Sequence, residues 1–417
     1  MLINADLHLH SKYSMACSNK MELPVMAREA AKKGINLVAT GDCIHPGWLS
    51  EIKAYAQDDE TVGIDNTSFI LTTEIEDRNR VHHLLLVPSI SKAEELAEKM
   101  SSYGDLAVDG RPTLKMDGCQ IAEIATDVGA LIGPCHAFTP WTAMYAYHDS
   151  LESCYGDMTD NIAFLELGLS ADSDYADRIE ELQDLTFLSN SDAHSPWSNK
   201  LAREFNRLEV PEVSFEGVEK AILRKEGYGC ALNVGFFPQE GKYNESACIK
   251  CYRHYPMEEA MNLDWNCRVC GGQIKKGVAD RVNELANYDT PKHPSHRPDY
   301  LHLIPLAEII MMALGHASIN TKGVSNAWKA LVERFGSETA VLLEADISQL
   351  DFVDPRIVRS IEAFRNEDVV LHPGGGGKYG WIELPENLKT NTNLGSQKAG
   401  PDDPAPEANN QKSLFDF

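Results

Sequence analysis

The chain has 417 residues, of which 43% are hydrophobic, so it is long enough for two or three domains with buried cores. Its net charge of −25 at pH 7 argues against a simple basic protein that coats nucleic acid. It has no apolar run long enough to cross a membrane and no basic start followed by an apolar stretch. We therefore expect a soluble, cytoplasmic protein.

Short apolar runs alternate with helical patterns up to about residue 235. The runs predict strands at Leu2–Ala5, Asn36–Thr40, Phe69–Thr73, Val81–Val87, Ala130–Gly133, Ala163–Leu167 and Thr186–Leu188. The helical patterns lie at Leu23–Lys33, Ala93–Met100, Cys119–Val128, Tyr175–Leu182 and Phe215–Leu223. This alternation is typical of parallel β/α units and favours an α/β barrel.

Residue types that bind metals recur beside these strands. His8 and His10 follow the first strand two residues apart, so both face the same side. An isolated H-x-H pair is as often a surface feature or a hydrogen-bonded core pair. The other strands, however, carry the same chemistry at Asp42, His45, Glu74, His82, His83, His136, Glu166, Asp192 and His194. Because strand ends meet at one face of a barrel, we expect such side chains to converge.

This set of motifs resembles the PHP (polymerase and histidinol phosphatase) metallophosphoesterase superfamily over residues 1–235. The matching motifs are Asp-x-His-x-His, Gly-Asp-Cys-Ile-His, a Glu, a His entering an apolar strand, a further His and a terminal Asp-x-His. The resemblance implies a distorted (β/α)7 TIM-like barrel whose two or three metal ions hydrolyse phosphoesters. The implied metal ligands are His8, His10, Asp42, His45, Glu74, His82, His136, Asp192 and His194. His82 is chosen over His83 for its place in the motif.

Histidine and carboxylate ligands suit Zn²⁺, with Mn²⁺ or Mg²⁺ as substitutes. A glutamate that bridges two cations holds them about 4 Å apart, and the cations neutralise the phosphate oxygens. Within the implied set, we assign the catalytic role to His8, His10, Glu74, Asp192 and His194.

A second metal motif follows the barrel. Cys248-x2-Cys251 and Cys267-x2-Cys270 have the spacing of a structural zinc site with four thiolate ligands. The other six cysteines are scattered, which is not the pattern of a secreted disulfide framework. We therefore expect residues 236–300 to form a zinc-binding module. Between Lys200 and Arg297 the chain is nearly neutral, which admits either a polyanionic partner or an ordinary mixed surface.

The pattern becomes mainly helical over residues 301–387. Helices are predicted at Leu303–Leu314, Val324–Phe335 and Pro355–Phe364, and short strands at Val369–Leu371 and Trp381–Leu384. The four-glycine run Gly374–Gly377 lacks the context of a nucleotide-binding loop. It is either a flexible turn or a place where the backbone closely approaches DNA or the barrel.

Residues 388–410 are rich in Asn, Pro, Gly and Asp, which predicts a disordered linker. The last seven residues, 411–417, resemble the box that binds the sliding clamp PCNA. Gln411, Leu414 and Phe417 occupy its key positions, and Phe415 stands beside them. An apolar segment attached to a polar, disordered linker is expected to have a binding partner.

The order of barrel, zinc module, helical region and clamp box resembles the archaeal endonuclease Q family. Matching stretches include Ser-Asn-Ser-Asp-Ala-His-Ser-Pro and Gly-Val-Ala-Asp-Arg-Val-Asn-Glu-Leu-Ala. The resemblance implies a DNA repair enzyme that nicks 5′ of hypoxanthine, uracil, xanthine and abasic sites after flipping the base out. Two alternatives stay open, namely a small-molecule phosphatase of the histidinol-phosphate type and a non-enzymatic DNA-binding adaptor recruited by the clamp.

Overall fold

The computed structural model describes residues 1–386 and 388. The strands are β1 (Leu2–Asp6), β2 (Leu37–Ala39), β3 (Val62–Ile64), β4 (Thr67–Glu76), β5 (His82–Val87), β6 (Leu131–Pro134), β7 (Phe164–Glu166), β8 (Thr186–Leu188), β9 (Phe205–Glu209), β10 (Gly229–Gly235), β11 (Ala247–Cys248), β12 (Ile274–Lys275), β13 (Asp299–His302), β14 (Val370–His372) and β15 (Trp381–Glu383).

The α-helices connect and cover these strands. They are α1 (Leu23–Lys33), α2 (Pro46–Lys53), α3 (Ile90–Met100), α4 (Gly118–Asp127), α5 (Met144–Tyr147), α6 (Leu151–Tyr155), α7 (Ser173–Ala176), α8 (Phe215–Ile222), α9 (Met257–Asn262), α10 (Val278–Leu285), α11 (Leu306–Leu314), α12 (Lys322–Phe335) and α13 (Pro355–Arg365). Among residues 1–386 and 388, no helix combines the length and apolar character that crossing a membrane requires.

One mixed sheet forms the framework, in the order β13-β10-β9-β1-β2-β4-β5-β6, with β3 beside β4. β7 and β8 form a separate parallel pair. Isolated bridges join Ile132 to Ile162 ahead of β7 and Leu9 to Ala193 beyond β8. The sheet therefore curls into a half-barrel in a mixed α/β fold, with the polar ends of β1 and β8 side by side. β13, near the predicted boundary at residue 300, extends this sheet.

The expectation of uniformly parallel β/α units is wrong for the middle of the sheet. β1, β2 and β4 are parallel, but β5 is antiparallel to both β4 and β6. β4 and β5 are separated by only five residues, 77–81, and a parallel crossover needs about a dozen or more. The short connection makes a hairpin, so the start of β5, and not its end, lies beside the end of β4.

Each of the predicted strands is present, with boundaries shifted by a few residues. The predicted helix Tyr175–Leu182 is wrong as a single element, because α7 ends at Ala176 and a 3₁₀ turn begins at Glu180. Asp177, at the break, is fully buried and accepts two hydrogen bonds from Nε and Nη2 of Arg297. The buried ion pair with Arg297, which comes from a distant segment, thus overrides the local helical pattern.

The first helix shows how local sequence and packing agree. Pro24 stands in the first turn of α1, where its missing N–H costs nothing, and Gly34 ends the helix with a φ of 83°. Leu23, Met26 and Ala30 form the buried stripe. The core that they enter continues into the C-terminal helices, so barrel and helical region share one apolar interior.

A buried ion pair joins the barrel to the helical region. Lys33 Nζ donates to Glu338 Oε1 over 2.6 Å, and both side chains are at most 3% exposed. Glu338 also accepts hydrogen bonds from the Leu306 backbone over 3.0 Å and from Trp328 Nε1 over 2.7 Å. If this carboxylate is removed, the Leu306 N–H and Trp328 Nε1 lose an acceptor and Lys33 keeps only the uncharged Ser198 carbonyl.

The four-glycine run packs its backbone against the segment that begins the four-cysteine cluster. Gly374 accepts a hydrogen bond from the Glu245 N–H and donates to the Gln239 carbonyl. A Cβ on Gly376, where φ is 65°, would lie 2.5 Å from the Cys248 carbonyl oxygen. The run is therefore a site of close backbone approach, and the neighbour is the segment 239–248, not the barrel strands.

We predict that Glu338→Ala lowers the free energy of unfolding by about 3–5 kcal/mol, because Lys33 is left buried without its counter-ion. Urea titration followed by circular dichroism measures the change. Glu344→Ala is the control, since Glu344 pairs with Arg207 but is 60% exposed. That substitution is expected to change the unfolding free energy by less than about 1 kcal/mol. Equal effects of the two substitutions would contradict the prediction.

Candidate metal-dependent active site

Glu74 lies at the centre of a buried cluster of potential ligand atoms. Its Oε2 lies 3.0 Å from His10 Nε2, and its Oε1 lies 2.6 Å from His82 Nδ1 and 3.2 Å from His136 Nε2. The Glu74 residue is only 2% exposed. A carboxylate that faces a different set of imidazoles with each oxygen has the arrangement of a ligand that bridges two cations.

Asp192 completes the cluster beside the first motif. Its Oδ1 lies 3.3 Å from His10 Nε2 and 3.8 Å from His8 Nε2. His194 follows on the same loop, and one ligand atom each of His10, Asp192 and His194 lie within 4.8 Å of one another. The same holds for His8, His10 and Glu74, and for Glu74, His82 and His136. Three overlapping groups of ligands are therefore available.

The residues present fit bound metal ions. His8 Nε2, His10 Nε2, His82 Nδ1 and Asp192 Oδ1 are buried, and among the described residues none makes a hydrogen bond of acceptable geometry, although carboxylate oxygens or imidazole nitrogens lie within 4 Å. Buried polar atoms are nearly always hydrogen-bonded, so four orphaned atoms that converge on one place require an explanation. Nitrogen and oxygen atoms with lone pairs directed at a shared point are suitable ligands for Zn²⁺ or Mn²⁺.

A carboxylate stands behind each of three imidazoles. Glu166 lies 2.9 Å from Nδ1 of His8, Asp42 lies 3.1 Å from Nδ1 of His10, and Glu76 lies 3.0 Å from Nε2 of His82. With the proton on the nitrogen that faces the carboxylate, the other nitrogen has its lone pair for the cluster. Such carboxylates fix the tautomer and orientation of metal-binding histidines.

The charges of the cluster also favour cations. Burial raises the pKa of Glu74, but the imidazole of His82 and the guanidinium of Arg111 outweigh it and hold that pKa well below its ordinary value. Burial lowers the pKa of His8, but the carboxylate of Glu166 raises it well above the ordinary value. Buried negative charge thus draws protons onto the imidazoles. A bound cation supplies the same compensation and leaves the rings neutral.

Three cluster loops are held in the left-handed backbone region. The φ angles are 50° at Asp42, 31° at His136 and 46° at Asp192. Residues other than glycine adopt this region at a cost in free energy, and such residues gather at functional sites. Here the strained turns allow a side chain at the end of a strand to point back into the cluster.

The structure brings together all but two of the predicted ligands. Asp42 lies behind His10, where it also accepts from the Ser11 backbone over 2.6 Å. His45 caps α2: its Nδ1 accepts from the Trp48 N–H and its Nε2 donates to the Ala107 carbonyl. With both ring nitrogens engaged, His45 is corrected from a ligand to a structural cap. A histidine that follows the motif Asp is also a suitable residue before a proline-started helix, and the pattern does not separate the two roles.

His82 and His83 face opposite sides of β5. His82 reaches the cluster, whereas His83 Nδ1 lies 2.8 Å from the Tyr155 hydroxyl within the core. The alternation of side chains along a strand accounts for the difference. The choice of His82 made from the motif therefore agrees with its position, and its role as a ligand stays a prediction.

Sequence reasoning gave no site role to Arg111 or Asp6, and it named Glu166 as metal-capable but not as one of the implied ligands. Arg111 lies 3.4 Å from Glu74 on a loop that has no motif. Glu166 orients His8, and its only signal is an acid inside the apolar run Phe-Leu-Glu-Leu. Asp6, the first residue of the Asp-x-His-x-His motif, accepts from the N–H and the hydroxyl of Ser191 and so holds the Asp192 loop.

The four paired cysteines also converge. The Sγ atoms of Cys248 and Cys270 are 3.5 Å apart, and those of Cys251 and Cys267 are 3.6 Å apart. All four sulfur atoms lie within 4.8 Å of one another. The antiparallel pair of β11 and β12 and the turns beyond it bring the two C-x-x-C segments together. Four convergent thiols are the ligand set of a closed structural zinc site.

A cavity of about 320 Å³ opens beside the cluster. Asp192 and Arg111 line one side, and Trp141, Tyr243 and Tyr379 line the other. The rings of Trp141 and Tyr243 meet edge to face with centroids 5.9 Å apart. The cavity therefore joins the buried cluster to aromatic side chains from three distant parts of the chain, at Trp141, Tyr243 and Tyr379.

Buried convergent ligands on a curled α/β sheet, open to a cavity, define a metal-dependent hydrolase. The protein is 47% identical to the lesion-specific endonuclease PfuEndoQ of Pyrococcus furiosus, with a TM-score of 0.89 over 93% of this chain and 96% of that chain. A structure of endonuclease Q with a 27-mer duplex carrying an abasic lesion gives 46% identity and a TM-score of 0.88, over 93% of this chain and 98% of that chain. The chain belongs to the endonuclease Q family.

Two further comparisons concern parts of the chain. Residues 305–368 match the family model described as the MJ0043 C-terminal domain. The uncharacterized protein MJ0043 of Methanocaldococcus jannaschii is 45% identical over 254 residues, which is 60% of this chain and 31% of that protein. This chain thus spans under a third of that relative's length.

We predict that Asp42→Asn weakens metal binding at the cluster by about 10- to 100-fold, because His10 loses the charged partner that orients it. Titration with a competing chelator, followed by elemental analysis, measures the affinity. Asp58→Asn is the control, since Asp58 lies on an exposed turn. Unchanged affinity in Asp42→Asn would show that His10 needs no such support.

Cys251→Ser is expected to remove about one zinc ion per chain and to lower the melting temperature, because a structural zinc site supplies folding free energy. Elemental analysis and calorimetry measure the two effects. Cys119→Ser, outside the four-cysteine group, should keep the full zinc content. A full zinc complement in Cys251→Ser would refute the assignment.

Proposed function

We propose that the protein is a DNA repair endonuclease that hydrolyses the phosphodiester bond 5′ of deaminated bases and abasic sites. The substrate bases are hypoxanthine, uracil and xanthine. The observation that carries the proposal is the set of converging, unpartnered ligand atoms beside a cavity with aromatic walls. Similarity to lesion-specific relatives over nearly the whole chain supports it.

The metal ions of this proposal are two or three Zn²⁺, with Mn²⁺ or Mg²⁺ as substitutes. The ligands are His8, His10, Glu74, His82, His136, Asp192 and His194, and a further Zn²⁺ is held by Cys248, Cys251, Cys267 and Cys270. When bound, the active-site ions lower the pKa of water and neutralise phosphate oxygens. We assign the catalytic role to His8, His10, Glu74, Asp192 and His194. We also retain the finer interpretation of the half-barrel as a (β/α)7 barrel.

The protein's own residues orient the substrate. The Arg111 guanidinium, 3.4 Å from Glu74 and half-buried, is placed to donate hydrogen bonds to a phosphate at the cluster. A damaged base leaves the stack more readily than a paired one and can be held between aromatic rings outside the duplex. The cavity beside Trp141, Tyr243 and Tyr379 is the place for such a base.

Neither alternative accounts for the same features. A small-molecule phosphatase uses the cluster but has no need for aromatic walls contributed by a zinc module. A non-enzymatic adaptor needs closed metal sites, as the four cysteines provide, whereas the cluster opens to a cavity.

The deciding experiment uses end-labelled duplexes that carry one hypoxanthine, uracil, xanthine, abasic site or normal base. Each is incubated with the protein and Zn²⁺, Mn²⁺ or Mg²⁺, and a denaturing gel maps the nick. We expect cleavage at the phosphate 5′ of each lesion and none in the normal duplex. Intact duplexes, together with phosphate release from small esters, would favour the phosphatase. Binding without cleavage under all three metals would favour the adaptor.

Asp192→Asn should reduce nicking by at least about a thousandfold, because the cluster loses a charged ligand worth several kcal/mol. DNA affinity and the circular dichroism spectrum should stay near wild type, since Asp192 lies outside the apolar core. Asp160→Asn, on the exposed surface, is the matched control. Wild-type turnover by Asp192→Asn at saturating metal would remove this residue from the site.

We further propose that the sliding clamp PCNA is a partner and that the protein works in the cytoplasm. The predicted linker 388–410 and the box residues Gln411, Leu414, Phe415 and Phe417 lie outside the described residues, except Leu388. The support is the sequence alone. Leu414 and Phe417 are spaced so that one helical turn places both on one face, as in helix-in-groove recognition.

Deleting residues 411–417 should leave nicking of short duplexes unchanged and abolish clamp binding. A short segment that orders when it binds gives modest affinity, roughly micromolar. Calorimetry with the full-length and truncated proteins measures the difference, and the pair Leu414→Ala with Phe417→Ala should reproduce the deletion. Equal heats of clamp binding for the full-length and truncated proteins would show that residues 411–417 do not contact the clamp.

A further inference from the structure

A second cavity, of about 440 Å³, borders the cluster on the side of His194. Its lining includes Cys17, Trp197 and Lys200, and it shares no residue with the first cavity. Asp192 belongs to the first cavity and His194 to the second, so the cluster separates the two. A polymeric ligand bound across the cluster can extend into both cavities.

Trp197 gives this second cavity an exposed aromatic wall. The residue is 49% exposed, although tryptophan gains much free energy from burial. Its backbone carbonyl accepts from the Lys200 N–H over 2.8 Å and from the Leu201 N–H over 3.1 Å. The loop is also held to the segment after the first motif by the Ser18 N–H, which donates to the His194 carbonyl over 2.8 Å. An exposed ring on a tethered turn is a preformed surface for a flat ligand.

We propose that Trp197 is the stacking platform for the base of the nucleotide on the 5′ side of the scissile phosphate. This inference rests on the proposed function. If the lesion nucleotide occupies the first cavity and the phosphate 5′ of it lies at the cluster, the next nucleotide in the 5′ direction leaves past His194. It then enters the cavity that Trp197 walls.

Stacking suits the task of this subsite. Every base has a flat face, so an aromatic platform accepts any sequence beside the lesion and leaves discrimination to the first cavity. The platform also anchors the strand on the far side of the phosphate and so fixes the scissile bond against the cluster. Trp197 is in this sense a positioning residue that binds substrate without touching the reacting atoms.

The test combines a protein change with a substrate change. Wild type and Trp197→Ala are compared on duplexes with one uracil whose 5′ neighbour is thymine or 5,6-dihydrothymine, a saturated, non-planar base that stacks poorly. With thymine we expect Trp197→Ala to lower kcat/KM by roughly tenfold to a hundredfold. With dihydrothymine the two enzymes should differ by less than about threefold. The non-planar base and the removal of Trp197 abolish the same stacking contact, so their effects do not add. Trp197→Phe should recover most of the loss.

Trp381→Ala is the matched control, because Trp381 is 51% exposed on the β14–β15 hairpin and lines neither cavity. It should retain wild-type kcat/KM on both substrates. Thermal melts of all variants confirm that they fold. An equal loss for Trp197→Ala on both substrates, or no loss on either, overturns the stacking role while the nicking activity stands. Absence of nicking by the wild type overturns the proposed function, and the inference with it.

Discussion

The organisation of the molecule depends on one buried carboxylate, that of Glu74, and on the need to compensate its charge. Burial alone would keep this group neutral, yet imidazoles and a guanidinium surround it and keep it ionised. Because β4 and β5 form a tight hairpin, Glu76 and His82 pair directly across the two strands while Glu74 points at the same centre. The centre thus combines residues that are neighbours on the β4–β5 hairpin with residues from distant loops.

The carboxylates behind the imidazoles connect the candidate metal site to several strands of the sheet. Glu166 reaches His8 from β7, Asp42 reaches His10 from the end of β2, and Glu76 reaches His82 from β4. Each pair links residues from two strands or from the loops that follow them. Changes in strand packing therefore alter ligand orientation, and bound cations in turn stabilise the strand arrangement.

The sequence predicts which side chains converge because metal chemistry restricts the residue types and strand ends repeat them, and their role as ligands stays a prediction. It predicts His45 wrongly, because a histidine after a motif Asp also makes a good helix cap. It misses the antiparallel course of β5, which follows from a short connection and not from any strand pattern. Arg111 and the aromatic walls are beyond motif reasoning, since single residues from segments over 100 positions apart form one cavity only after folding.

The packing of the glycine run against residues 239–248 affects the order in which the structure assembles. Its hydrogen bonds join Gly374 to Gln239 and Glu245, and Gly377 to Lys242, across more than 120 positions of chain. Contacts of such sequence separation form late, because closing a long loop costs entropy before any contact compensates it. Tyr379 lies two residues after this run. The last wall of the cavity therefore depends on contacts that form late, and the substrate pocket is finished only when the segment after the C-terminal helices has docked.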